Sequence, residues 1–156
     1  MPHRNYPKCV LEVVDDQLTY QPEALHAVRR FARRQPWRGT VENREAKFEQ
    51  LNCDLATAYG IAVPALNFQC IDGRSSGASH YIPTQHRIVL TGKLSVVTYL
   101  HEFAHALGMD ERDACKWSIN LFKRCFPQQY GRLVHLGHML FRPADVAIRL
   151  RNRRAS

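Results

Sequence analysis

The segment at residues 94–107 combines apolar side chains with two histidines and a glutamate, in the order His101-Glu102-Phe103-Ala104-His105. Apolar residues recur around the whole helical circumference of this segment, which predicts a buried helix. His101 and His105 are four residues apart, so they project from one face of that helix, about one turn apart. Buried polar side chains need partners, and two imidazoles at this spacing suit one Zn²⁺ ion, with Glu102 beside the metal. The segment therefore predicts a metal-binding helix at the centre of the fold.

A third ligand is needed, because a catalytic zinc usually has three protein ligands and one position open to water. Gly108 permits a sharp reversal after the helix, so the start of the next helix can fold back over the metal. We expect Glu111 to be that ligand, since the small Ala114 three residues later lets the two helices pack closely. Asp113 is the alternative, although it could instead complete a capping box. Asp110 is a further nearby candidate, although it suits the N-cap of the next helix, and His135 and His138 are more distant candidates.

Zinc in such a site lowers the pKa of a bound water to about 7. Glu102 is then suited to accept the proton of that water and pass it to a leaving amine, which predicts hydrolysis of a peptide or protein substrate. A further donor should stabilise the oxyanion. The candidate donors are Tyr81, Tyr130, His135 and His138.

The rest of the pattern predicts an α+β fold. Helical periodicity predicts further helices at residues 22–34, 42–59 and 111–126, and a short one that begins at Pro143. Short strands are predicted at residues 66–70, 78–82 and 86–90. We expect them to form a mostly antiparallel sheet of three or four strands packed against the motif helix and its flanking helices. An apolar run at residues 10–14 predicts an edge strand or an N-terminal arm.

Length and composition predict one domain over residues 1–156, with a core at about 65–127 and a basic tail at about 143–156. The formal net charge is +8, and arginines are concentrated at residues 29–38 and in the tail. This charge makes nucleic-acid binding an alternative to a solvated basic surface. The five cysteines form no Cys-x-x-Cys pair, and neither a membrane span nor a signal-peptide core is evident. We therefore expect a cytoplasmic protein with reduced thiols.

Residues 78–127 resemble the core of the zincin metallopeptidases, in which a strand and its hairpin partner precede the H-E-x-x-H helix and a second helix carries an acidic residue. Within zincins the segment is most similar to small gluzincin-type domains of the ImmA/IrrE-like group. The residues that carry this likeness are Glu111-x-x-Ala114, Trp117-Ser118, Leu121-Phe122 and Pro127. The motif and the basic charge also resemble the SprT-like DNA-associated proteases. The interval from His105 through Gly108 to Glu111 matches metzincin spacing instead, with Glu111 in place of the usual histidine.

The resemblance implies a zinc metalloendopeptidase with one ion held by His101, His105 and Glu111, and with Glu102 as general base. It also implies that the strand at residues 78–82 holds an extended peptide by main-chain pairing. Two alternatives stay open. One is a nucleic-acid-associated protein, either a protease of DNA-bound proteins or a basic binder with a degenerate metal site. The other is a structural zinc domain without hydrolysis, which predicts no open coordination position and a tolerated Glu102→Gln change.

Overall fold

Six α-helices, a three-stranded sheet and a two-stranded sheet make up the chain in the computed structural model, which describes residues 5–69 and 78–155. The helices are α1 (Pro22–Arg33), α2 (Val41–Tyr59), α3 (Val96–Ala106), α4 (Glu111–Cys125), α5 (Pro127–Gly131) and α6 (Pro143–Ala155). The strands are β1 (Ala65–Gln69), β2 (His80–Ile82), β3 (Arg87–Thr91), β4 (Val134–Leu136) and β5 (Met139–Phe141). The predicted α+β class is therefore confirmed. The short α5 and the β4–β5 hairpin were not predicted.

The larger sheet is mixed, with strand order β1-β3-β2. β3 pairs antiparallel with β2 and parallel with β1. A short 3₁₀ helix at Pro83–Gln85 connects β2 to β3. The prediction of a mostly antiparallel sheet is therefore wrong for the β1–β3 pair. Alternation along a strand indicates which face is buried, but it does not specify the direction of the neighbouring strand. The last residue of the first predicted strand, Cys70, lies outside the described residues.

β3 occupies the centre of this sheet because it is apolar on both faces. Ile88, Val89 and Leu90 are consecutive and all buried, whereas β1 and β2 contain no buried residue. Strands covered on both sides read as continuous apolar runs, and edge strands do not. This arrangement leaves β2 as an edge strand on the side of the sheet that contacts α3.

α3 lies at the centre of the main core, as its composition predicts. Tyr99, Leu100, Phe103 and Ala104 are fully buried, and the helix packs against α4 and β3. Ser95 begins α3 by accepting a hydrogen bond from the Thr98 N–H at 3.3 Å. Contributions from the other elements complete this core, namely Phe31, Phe48, Leu51, Leu55, Ala114 and Leu121. The helix that carries the histidines is thus held by packing along its length.

Tyr99 also takes part in a buried polar contact that leads to a stability prediction. Its hydroxyl donates to Asn52 Oδ1 at 2.8 Å, and Asn52 Nδ2 donates to the Pro64 carbonyl at 2.8 Å. Tyr99→Phe should destabilise the protein by about 1–3 kcal/mol, because it leaves a buried amide oxygen without its donor. Urea denaturation measures this. Tyr130→Phe, at a half-exposed ring, is the control, and an equal loss from the two changes would contradict the explanation.

The N-terminal apolar run forms a 3₁₀ helix at Val10–Glu12, so the predicted edge strand is wrong. Val10 and Val13 are buried in a second, smaller cluster with Cys115 and Ile119 of α4. The Val10 N–H donates to the Gly137 carbonyl at 3.0 Å, which joins this segment to the turn of the β4–β5 hairpin. Side-chain packing against α4 therefore determines the conformation of this segment, rather than pairing with the sheet.

The chain after α5 forms the β4–β5 hairpin and the basic helix α6. α6 contacts β4 and is exposed along most of its length, and the Arg149 guanidinium lies 4.5 Å from the centre of the Phe141 ring. None of the helices in the described ranges combines the length and the apolar character needed to cross a membrane.

Candidate metal centre

Three side chains from two helices converge at one point of the structure. Glu111 Oε2 lies 3.1 Å from His101 Nε2 and 3.3 Å from His105 Nε2, and the two Nε2 atoms are 3.1 Å apart. The donor atoms of these three side chains are close enough to share one metal ion. Among the described residues, no other group of three or more histidine, cysteine, aspartate or glutamate side chains meets this criterion. The structure thus brings together the two motif histidines and the acidic residue that was preferred from sequence.

The turn between α3 and α4 places Glu111 over the histidines. The Gly108 N–H donates to the His105 carbonyl at 2.9 Å, and the Met109 N–H donates to the Ala104 carbonyl at 3.1 Å. This pair of bonds is a Schellman motif, which requires a left-handed residue, and Gly108 has φ +92°. Asp110 then begins α4 by accepting a hydrogen bond from the Asp113 N–H at 2.8 Å. Glu111 is consequently the first residue of α4, directly beside α3.

Each histidine has a polar partner at the ring nitrogen that faces away from the cluster. His105 Nδ1 lies 2.9 Å from the Met109 carbonyl, so this nitrogen donates and Nε2 has a free lone pair. His101 Nδ1 lies 3.8 Å from Cys115 Sγ. Burial raises the pKa of the Cys115 thiol to about 12, so the sulfur stays neutral. Metal-binding histidines in proteins usually donate their second ring N–H to a carbonyl or carboxylate, as His105 does here, and this bond fixes the tautomer.

The protonation of His101 also suits a ligand. Burial lowers its pKa, the neighbouring His105 lowers it further, and Glu111 opposes both effects. Because the neutral imidazole is the form that binds a metal, the site favours the ligand form at neutral pH.

The cluster lies at the wall of a cleft of about 560 Å³. Glu102 contributes to the same wall and is only 7% exposed. The edge strand β2 supplies another wall through His80 and Tyr81, and Gly108 and Met109 of the turn supply a third. The cleft is therefore lined by His101, His105 and Glu111, by Glu102, and by the described strand β2.

The other acidic candidates lie outside the cluster. Asp113 is exposed, and the metal-binding group contains Glu111 without it. Asp110 acts as the N-cap of α4 through its carboxylate. Both assignments follow from the helical turn, since residues two apart project from different sides of a helix.

The four predicted oxyanion donors are distributed unevenly. Tyr81 lines the cleft, but its hydroxyl bonds His86 Nδ1 at 2.8 Å, and His86 Nε2 bonds the Ala62 carbonyl at 2.7 Å. Because His86 Nε2 must donate to that carbonyl, Nδ1 accepts and the Tyr81 O–H is already used. Tyr130 lies under the Lys123 ammonium, and His135 is exposed in β4. Neither of these two lines the cleft within the described part of the chain.

His138 lies near the metal-binding group through a residue that sequence reasoning missed. Its ring stacks on Tyr6 with centroids 4.3 Å apart, and Tyr6 lines the cleft. Burial lowers the pKa of His138, and the negative charge of Glu111 opposes this shift. A positive charge on His138 in turn lowers the pKa of His101. Tyr6 precedes the motif by 95 positions (101 − 6). No local pattern could therefore have placed it at the cleft.

Met109 is a second residue that was missed, and here a signal existed. In a Schellman motif, the residue after the glycine donates its N–H to a carbonyl of the last helical turn. The sequence places Met109 directly after Gly108, so its proximity to His105 could have been inferred.

The arginines of residues 29–38 do not converge on this cleft. Trp37 of that segment packs against Phe126, with ring centroids 5.3 Å apart, just after the end of α4. Glu111 is at the opposite end of the same helix. A helix of 15 residues is about 22 Å long, so this basic segment and the metal-binding group lie at opposite ends of α4.

No family model, curated protein or solved structure matches the chain.

Proposed function

We propose that the protein is a zinc-dependent endopeptidase that holds one Zn²⁺ through His101, His105 and Glu111. The observation that carries this proposal is the convergence of two imidazole nitrogens and one carboxylate oxygen. Zinc bonds of about 2.0–2.2 Å in tetrahedral geometry place donor atoms about 3.3 Å apart. The three separations of 3.1, 3.1 and 3.3 Å fit this spacing without rearrangement. The lone pairs of the two imidazole nitrogens and the negative charge of the carboxylate all face one point, and a bound cation is the partner that suits them best.

Bound zinc supplies a Lewis acid that polarises a carbonyl group and lowers the pKa of a water to about 7. Glu102 follows His101 directly and lies in the cleft wall, so its carboxylate accepts the proton of the attacking water. It then passes that proton to the leaving amine nitrogen. The buried position of Glu102 excludes bulk water from this transfer. Of the predicted oxyanion donors, Tyr81 lines the cleft, although its hydroxyl already bonds His86 Nδ1. His138 is not among the described lining residues and stacks on the lining residue Tyr6.

An extended peptide is the substrate class that this cleft fits best. Among the described strands β2 lies at the edge of the sheet beside the metal-binding group, and an extended peptide can pair with such an edge. The order of β2, β3, α3 and α4 supports a zincin-type core, with the small ImmA/IrrE-like domains as the first likeness. The free state of Cys9, Cys53, Cys115 and Cys125 supports a reducing, cytoplasmic location.

The cleft favours a catalytic role over a structural zinc. Structural zinc sites are closed by four protein ligands, whereas catalytic sites have three and an open position. In the described ranges, only three metal-binding side chains meet at this point, and they do so beside an open cleft.

Metal analysis combined with a cleavage assay tests the proposal. The purified protein should contain about one zinc per chain and should cleave an unfolded protein substrate. A chelator should abolish cleavage, and added zinc should restore it. Purified protein without metal that also fails to bind added zinc would overturn the proposal, and so would cleavage that persists after the zinc has been removed.

A further inference from the structure

A second surface of the molecule combines exposed arginines with an exposed indole. We call it the α1–α2 turn surface, and it consists of Arg29 and Arg33 of α1, the C-cap residue Arg34, and Trp37 and Arg38 of the following turn. All four arginines are exposed, and Trp37 is 44% exposed. Arg30 is not included, because it pairs with Asp54 at 3.6 Å. The surface lies at the end of α4 opposite the metal centre.

The four guanidinium groups of this surface carry uncompensated charge. Among the described residues, none of the four takes part in a salt bridge, whereas several other basic side chains do. Cations in the last turn of a helix stabilise its dipole, which accounts for Arg33 at the end of α1. That explanation does not extend to Arg38 or to Trp37, which lie beyond the helix. A ligand with several negative charges would complement the surface.

Trp37 indicates what kind of polyanion fits. Its ring packs against Phe126 at an angle of 72° with centroids 5.3 Å apart, and the residue is still 44% exposed. An exposed indole in a segment that also carries exposed, unpaired guanidinium groups suits a chain with both phosphates and accessible aromatic bases. A duplex covers its base faces by stacking, and a membrane offers no aromatic partner. The combination therefore favours a single strand.

The turn that presents Trp37 is held in place before any ligand arrives. Lys47 of α2 donates to the Gln35 carbonyl at 2.9 Å and to the Arg38 carbonyl at 2.8 Å. The Arg38 N–H donates to the Gln35 carbonyl at 3.0 Å, and Gln35 has φ +53°. A rigid presentation lowers the ordering cost of binding.

We propose that the α1–α2 turn surface binds single-stranded nucleic acid, with the four arginines contacting phosphates and a base stacking on Trp37. This binding is separate from the proposed peptidase activity, because the surface shares no residue with the cleft. A strand bound at this surface would lie about the length of helix α4 away from the peptidase cleft.

Fluorescence anisotropy of a labelled oligothymidylate, titrated with the full-length protein at several salt concentrations, tests the proposal. Replacing Arg33, Arg34 and Arg38 together by glutamine should reduce the slope of log affinity against log salt by about 2, since each phosphate contact contributes about 0.7 on single strands. Trp37→Ala should weaken binding about five- to 150-fold through lost stacking, and Trp37→Phe should retain most of it. Circular dichroism confirms that each variant is folded.

The matched control removes the same charge from α6, by replacing Arg149, Arg151 and Arg154 with glutamine. It should leave the Trp37 effect unchanged and reduce the salt slope less. Equal effects of the two triple variants would overturn the proposal in favour of net charge alone. The proposal would also be overturned if the protein bound a DNA duplex as tightly as the single strand and Trp37→Ala left both affinities unchanged. Binding to phosphatidylserine vesicles that is tighter than binding to the oligothymidylate would overturn it as well. The assay requires no peptide cleavage, so its outcome and that of the peptidase proposal are distinguishable.

Discussion

Glu102→Gln is expected to leave one zinc per chain in place and to reduce peptide cleavage by about 10²–10⁴-fold. The two side chains have nearly the same shape, so the substitution removes the proton acceptor without opening a cavity around a side chain that is 7% exposed. Metal content and the rate of peptide cleavage, measured on the same preparation, give both quantities. The zinc should be retained because Glu102 is not one of the three converging donors.

Glu49→Gln is the matched control for this change, since Glu49 is exposed on α2 and outside the cleft lining. It should retain full activity. If Glu102→Gln cleaved peptides at the original rate, Glu102 would not be the general base and the structural zinc alternative would gain support. If the variant lost its metal, a direct ligand role for Glu102 would have to replace the proposed one.

Glu111→Ala is expected to lower zinc affinity by more than the roughly 10–100-fold that removal of an outer partner costs, because it removes a ligand itself. The melting temperature should then respond little to added zinc, since a ligand that binds only the folded protein stabilises it appreciably only at concentrations above its Kd. Equilibrium dialysis of zinc and thermal denaturation with and without zinc measure these two effects.

Asp113→Ala makes the comparison decisive, because it removes an exposed carboxylate two positions away on the same helical turn. Zinc affinity and the stabilisation by zinc should both stay close to those of the original protein. The opposite pattern, with metal lost from Asp113→Ala and kept by Glu111→Ala, would show that α4 presents the other carboxylate to the metal.

Local signals in the sequence predicted much of the molecule. The ends of α2, α3 and α4 agree with the predicted helices to within two residues at each terminus. The reason is local: Thr40, Ser95 and Asp110 are the N-caps of these helices, and Gly60 ends α2. The convergence of His101, His105 and Glu111 follows from spacing that lies within one helix and one turn. In each case the deciding interaction joins residues that are close in the chain.

The remaining features depend on contacts between distant segments. The parallel pairing of β1 with β3 is invisible to a pattern that describes each strand alone. Tyr6 reaches the cleft because Val10 and Val13 pack on α4, and the sequence near Tyr6 carries no trace of that contact. Cys115 is buried, and its proximity to His101 depends on how α4 lies against α3.

The Schellman turn that ends at Met109 has a further consequence for how this site can change. The residues between α3 and α4 form a non-helical turn of fixed geometry, so one residue more or fewer between Gly108 and Asp110 would change the direction and position at which α4 begins. Glu111 would then face away from the histidines, although every ligand was still present in the sequence. The metal centre is therefore specified by the length of the chain between its ligands as strictly as by their identity. Homologous chains that bind metal in this way should tolerate substitutions in the turn far better than insertions or deletions.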